Sequence, residues 1–206
     1  MSGSQCCSNP PTTNPSSGAG HLQQLGGLNS YVTGSPDSKL TVIFITDVYG
    51  SEAPLLRKLA DKVAAAGFFV VASDFFKGDS YVPDDANRPI RVWLQDHGPD
   101  KSFDDGKAVV EALKSSGISA VGAAGFCWVV VVELSKADLI QAAVLLHPSL
   151  VTVDDIKGVK APISILGAEI DQISPPELLK QFEVVLSTKR EVDWFVKIFP
   201  KVSHGQ

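Results

Sequence analysis

From about Tyr31 onward, short apolar runs rich in β-branched residues alternate with longer stretches of helical periodicity, and this alternation restricts the fold more than any other property of the chain. Residues 40–46 (LTVIFIT), 68–73 (FFVVAS), 119–125, 141–147, 162–167 and 193–199 read as strands. The first of these is a continuous apolar run of the kind buried on both faces. Helices are expected over 54–66, around 91–96, and over 100–115, 128–136 and 175–187. In the first of them Leu55, Leu56, Leu59 and Val63 recur at helical spacing, and Gly67 stands where a helix commonly ends. Strands separated by amphipathic helices form βαβ units, so the expected class is α/β: a mostly parallel sheet with helices on both faces. In such sheets the reactive groups gather beyond the C-terminal ends of the strands.

The 206 residues suit one domain. Eighteen Lys and Arg against 23 Asp and Glu give a formal charge of −5, and without a basic run the chain is a poor binder of nucleic-acid phosphates. The longest uncharged apolar stretch, 118–132, falls short of the roughly 20 residues that a bilayer requires, so no membrane partner is expected. Residues 1–20 are almost all Ser, Pro, Gly, Thr and Asn and bury too little apolar surface to offset their ordering entropy. The expected organisation is a mobile leader over 1–24 and a domain over 25–206. Cys6, Cys7 and Cys127 make an odd count without a disulfide framework, and the N-terminus lacks the apolar core of a secretory signal. A reducing, cytoplasmic setting is expected, with Cys6 and Cys7 as exposed thiols of the leader in preference to sites of acylation or metal binding. No Cys/His spacing suggests a metal and no Gly-rich loop suggests a nucleotide, so no cofactor is expected.

Beyond the strand at 119–125 stands Gly125-Phe126-Cys127-Trp128. A glycine two places before a nucleophile, between strand and helix, forms the first half of a nucleophile elbow, and the helix N-terminus behind it offers amide donors. Asp171 lies beyond the strand at 162–167, and His204 beyond the strand at 193–199. Nucleophile, acid and histidine on successive strand ends is the chain order of the α/β-hydrolase triad. In that reading Cys127 attacks a carbonyl, His204 moves the proton and Asp171 orients the imidazole.

Taken with Thr46-Asp47-Val48-Tyr49-Gly50, Ser73-Asp74-Phe75-Phe76 and Ser203-His204-Gly205, these residues make the chain resemble the dienelactone hydrolase family from about Leu25 to its end. The likeness is greatest to plant members, some of which carry glucanase-like names. The resemblance implies an α/β-hydrolase fold and a Cys127-Asp171-His204 triad acting on small ester or lactone substrates, in a monomer or weak homo-oligomer. It implies oxyanion donors in the backbone amides of Val48 and Trp128. It also implies a thiol-activating acid at Asp47, which in the family pairs with an arginine at rest. No arginine follows Ser73-Asp74-Phe75-Phe76 here, and Lys77 is the nearest cation.

Two departures from the family stand out. After Gly-x-Cys-x the family continues with Gly and another small residue, whereas Val129-Val130-Val131-Val132 follow Trp128 in a segment about two residues short. Such a deletion turns the following helix by about 200° and is expected to misplace its apolar face. The sequence also stops at Gln206, where family members continue into a long closing helix, so the expected fold lacks that helix and leaves His204 on a terminus prone to fray. The alternatives are therefore a catalytically impaired binding protein, or a truncated isoform of such a hydrolase. A glucan hydrolase using Asp47 and Asp171 as its two carboxyl groups is a further alternative, but leaves Cys127 without a role. His147-Pro148 is read as structural in preference to bordering the pocket, Asp104-Asp105 as a solvated face, and Trp93 and His97 as either structure or pocket wall.

Overall fold

All the expected strands form, and the computed structural model, which describes residues 10–83 and 85–206 (backbone alone at 99 and 100), adds two strands before them. His21–Leu25 (β1) and Leu28–Thr33 (β2) pair antiparallel around Gly26 and Gly27, whose φ angles are 56° and 84°. A two-residue hairpin turn of this hand needs positive φ at both central positions, which glycine adopts without strain. Strand β1 falls within the expected leader. Its residues are largely exposed, so no apolar pattern announced it, and backbone pairing with β2 alone makes it a strand. Cys6 and Cys7 lie outside the described residues.

The rest of the expected leader, from residue 10, lies against Pro54–Ala65 (α1). Arg57, only 2% exposed, donates from Nε to Ser51 O (2.9 Å) and from Nη1 to the carbonyls of Pro15 (2.6 Å) and Ser17 (3.1 Å). These bonds partner two of the three guanidinium nitrogens of a buried charge, with Nη2 left unpaired among the described residues, and they hold a polar segment that has little apolar surface of its own.

Leu40–Ile45 (β3), Phe69–Ser73 (β4), Ala120–Phe126 (β5), Ala142–Leu146 (β6), Ile163–Ile170 (β7) and Trp194–Ser203 (β8) run parallel in one sheet of order β1-β2-β4-β3-β5-β6-β7-β8. The chain steps outward from β3 to β4, then returns to place β5 on the other side of β3. The crevice between the C-terminal ends of β3 and β5 is thus the topological switch point, where open α/β sheets bind ligands.

Helices cover both faces, as expected. On one, Leu56, Ala60 and Val63 of α1 pack on Phe44, Val70 and Ala72. On the other lie Ile90–Asp96 (α2), Pro99–Ser115 (α3), Val130–Lys136 (α4), Val153–Gly158 (α5) and Pro176–Ser187 (α6), with Trp93, Leu113, Leu134, Ile156 and Phe182 in a single core with Ile43, Val121 and Ile165. The short α5 was not anticipated; a reciprocal capping box between Thr152 and Asp155 closes its first turn.

The valines after Trp128 do not misplace a helical face. Val130, Val131, Val132, Leu134 and Ser135 are all buried, so α4 has almost no polar side to turn inward. A helix buried on nearly every side tolerates rotation that an amphipathic one does not.

Candidate active site

The β5–β6 register pairs Phe126 with Leu146, so the next residues, Cys127 and His147, leave the sheet side by side, tied by Cys127 N–H to Leu146 O at 3.1 Å. Cys127 has φ 66°, the left-handed region that side chains rarely adopt, whereas Val129 sits at φ −68° in ordinary helical space. The strain of the turn is therefore carried by the thiol residue and not by a β-branched valine. A Cβ on Gly125 would stand 2.7 Å from Val131 Cγ2 and 3.1 Å from the Trp128 carbonyl. Gly125→Ala is accordingly expected to destabilise the fold by about 1–3 kcal/mol in urea unfolding; an unchanged midpoint would mean that strand and helix separate easily here.

Asp171 and His204 are brought together by the next pair of strand ends. Ile170 pairs with Ser203 across a register irregularity that begins after Ala168 and Phe199, so the residues that follow emerge as neighbours. A bulge at the end of a sheet re-aims side chains in this way. His204 is 4% exposed and Asp171 6%, so both side chains are buried. Asp171 Oδ2 lies 2.7 Å from His204 Nδ1, and Oδ1 accepts the backbone N–H groups of Ile173 (2.8 Å) and Ser174 (3.0 Å). Burial alone would raise the Asp171 pKa, but the bonds from His204 and the two amides outweigh it and hold the carboxyl below its ordinary value. His204 Nε2 faces Cys127 Sγ at 3.4 Å. The three residues named from their chain order are thus in hydrogen-bonded sequence, acid to histidine to thiol.

Asp47 follows β3 and lines the same cavity, of about 350 Å³, as Cys127, His147 and His204. Its Oδ1 accepts the Tyr49 N–H at 2.9 Å, yet burial pushes its pKa up to about 6. Lys77 gives it no cation, since that side chain pairs with Asp105 at 3.0 Å and is largely exposed. Among the described residues, no acceptor is found for the backbone N–H of Val48 or of Trp128. Leu55, Leu59 and Phe126 supply apolar wall, and Pro10 and Pro11 border the cavity.

Two further groups stand at the site, of which Ser149 escaped the sequence reading. His147 was read as structural, but it lines the cavity with its ring 4.7 Å from that of His204. Burial, helped by the charge of His204, lowers its pKa to about 4, so it is a neutral imidazole near pH 7. Ser149, fully buried, lies 3.0 Å from Cys127 Sγ through its Oγ. The only signal for either was position, just past a strand end. Trp93 and His97 are not part of the cavity wall; Trp93 donates to Asp79 O, His97 bonds the Asp79 carboxylate, and Trp93 and Phe76 stack edge-on behind Trp128. Cys127, His147 and His204 each offer a donor atom within 4.8 Å of the others, a set that also suits a metal ion.

A family model described as the dienelactone hydrolase family matches residues 28–206. A protein of Zea mays named endo-1,3;1,4-beta-D-glucanase is 44% identical over 202 residues, covering 92% of this chain but 64% of its own length. A carboxymethylenebutenolidase homolog of Xenopus tropicalis is 30% identical over 90% of this chain and 78% of its own. Among solved structures, a Klebsiella pneumoniae protein assigned as a dienelactone hydrolase superposes with a TM-score of 0.74 at 18% identity, covering 86% of this chain and 82% of that one. At that identity the structural likeness carries the fold alone.

Proposed function

The chain belongs to the dienelactone hydrolase family, and on that footing we propose that it cleaves small carboxylic esters or lactones through an acyl-enzyme on Cys127. One observation carries the reading: His204 Nε2 stands 3.4 Å from Cys127 Sγ while its Nδ1 is held 2.7 Å from a buried Asp171 carboxylate. With Nδ1–H committed to Asp171, it is Nε2, facing the sulfur, that takes the thiol proton. The sulfur attacks the carbonyl, and the developing oxyanion lies toward the amides of Val48 and Trp128. Collapse expels the alcohol, which receives the proton from His204. Water, deprotonated by the same nitrogen, then releases the acid. The Asp47 carboxyl serves as a second group able to draw the proton from the thiol. The odd cysteine count, without a disulfide framework, suits a reducing compartment, and we assign the chain to the cytoplasm, working as a monomer or weak homo-oligomer.

The name of the maize relative invites a glycosidase reading, in which Asp47 and Asp171 flank a glycosidic bond. Asp171 suits it poorly. Both its oxygens are engaged by His204, Ile173 and Ser174, and a carboxyl held below its ordinary pKa is a poor general acid.

Incubation with an activated short-chain aryl ester is expected to release the phenol and to leave one acyl group on Cys127, read by intact-protein and peptide mass. Mixed-linkage β-glucan tested in parallel should yield no reducing ends. Glucan cleavage without an acyl adduct would overturn the proposal, as would a cooperatively melting chain with neither turnover nor adduct.

A further inference from the structure

We infer that the same pocket binds a soft divalent cation of the zinc type between Cys127, His147 and His204, and that the bound ion silences the thiol. The site stands on its donor set; only the silencing rests on the proposed hydrolase activity. One thiol and two imidazoles bring a donor each within 4.8 Å of one another. In a tetrahedral zinc shell, with Zn–N about 2.0–2.1 Å and Zn–S about 2.3 Å, neighbouring donors lie roughly 3.4–3.6 Å apart. His204 Nε2 and Cys127 Sγ already stand at 3.4 Å. Closing the remaining gap takes roughly 1 Å of side-chain movement against that shell spacing.

Three further features point the same way. Asp171 binds His204 Nδ1 at 2.7 Å, the carboxylate–histidine arrangement that directs Nε2 onto a metal. His147 Nδ1 is buried without a hydrogen-bond partner among the described residues, although its side chain lines the cavity. A buried polar nitrogen left unpaired calls for a ligand. All three side chains line one cavity, and three protein ligands beside open space is the arrangement of zinc sites that keep a fourth position for water. Nitrogen and sulfur donors select zinc-like ions over magnesium or calcium, which prefer oxygen.

On binding, the Cys127 S–H bond breaks, its proton passes to solvent and a metal–sulfur bond forms. No oxidation is involved. The sulfur lone pair is then committed, His204 Nε2 can no longer accept a proton, and ester attack stops.

The test uses the full chain, reduced and stripped by chelator, titrated with Zn²⁺ in a calorimeter and with Co²⁺ in the ultraviolet. One ion per chain and a sulfur-to-cobalt charge-transfer band are expected, with no heat from Mg²⁺. Cys127→Ser should abolish the band, and His147→Phe should weaken Zn²⁺ binding about tenfold or more. His147→Gln replaces the phenylalanine variant if that one does not melt cooperatively. Turnover of an activated ester should fall in proportion to zinc bound and return with chelator. The inference is overturned if the chain hydrolyses ester but binds no zinc, an outcome that leaves the hydrolase reading intact. It is equally overturned if binding persists at full strength in both variants, or if turnover rises with zinc. One zinc held through Cys127 and His147 in a chain without esterase activity would uphold the site and overturn the silencing together with the hydrolase reading.

Discussion

Cys127→Ala is expected to lower turnover of an activated ester by about 10⁴-fold or more and to abolish the acyl adduct. The size follows from the geometry. Ser149 Oγ lies 3.0 Å from Cys127 Sγ, but the backbone that presents the thiol at φ 66° belongs to residue 127, and it is this sulfur that stands 3.4 Å from His204 Nε2. Residual catalysis would come from the amides and from binding alone. Alanine keeps the strained φ of the turn and removes one buried sulfur, so the thermal transition should remain cooperative. Asp171→Asn gives a companion loss of about 10⁴-fold, because an amide can donate toward His204 Nδ1 and so favour the wrong tautomer. Both variants are measured by initial rates beside a melting curve. Hydrolysis that survives the loss of the thiol would move the reaction away from Cys127.

Asp47→Asn is expected to act in opposite directions on activity and stability. Its folded pKa of about 6 lies above the ordinary 3.8, so the folded chain holds the proton more tightly than the unfolded one. Well below pH 3.8 the group is neutral in both states and costs nothing. As pH rises toward and past 6, the unfolded carboxyl ionises readily while the buried one resists, and folding stability falls by about 3 kcal/mol. Asparagine retains an oxygen for the Tyr49 N–H and avoids this loss. The variant should therefore approach the parent near pH 3 and exceed it by about 3 kcal/mol at pH 8, read from urea midpoints across that range. If Asp47 helps to take the thiol proton, turnover drops by about 10²-fold in the same protein. A stability gain independent of pH would show that the carboxyl is not buried as described.

The α/β class and the three strand-end residues were legible because each rests on a local signal. Continuous β-branched runs such as LTVIFIT and the Gly-x-Cys turn carry their own geometry, and chain order places Asp171 and His204 beyond successive strand ends before any distance is known. The polar hairpin strand β1 was not legible, since it is held by backbone pairing to β2 and not by an apolar face. Nor was α5, whose six residues are too few to show a period. The valines after Trp128 misled for a related reason: the comparison assumed an amphipathic helix, while α4 is buried almost all round.

By itself the sequence determined which residue types stand at the ends of which strands, because a β-branched run and a glycine turn fold by nearest-neighbour sterics. Only the tertiary structure decided what those ends meet. Register between β5 and β6 sets His147 and Ser149 around the thiol, and the irregularity between β7 and β8 aligns Asp171 with His204. Burial of Asp47 and the diversion of Lys77 to Asp105 also depend on packing between segments distant in sequence. Hydrogen bonds of that range, and the desolvation that shifts a pKa, arise from sheet order and layer packing, which no local stretch of sequence encodes.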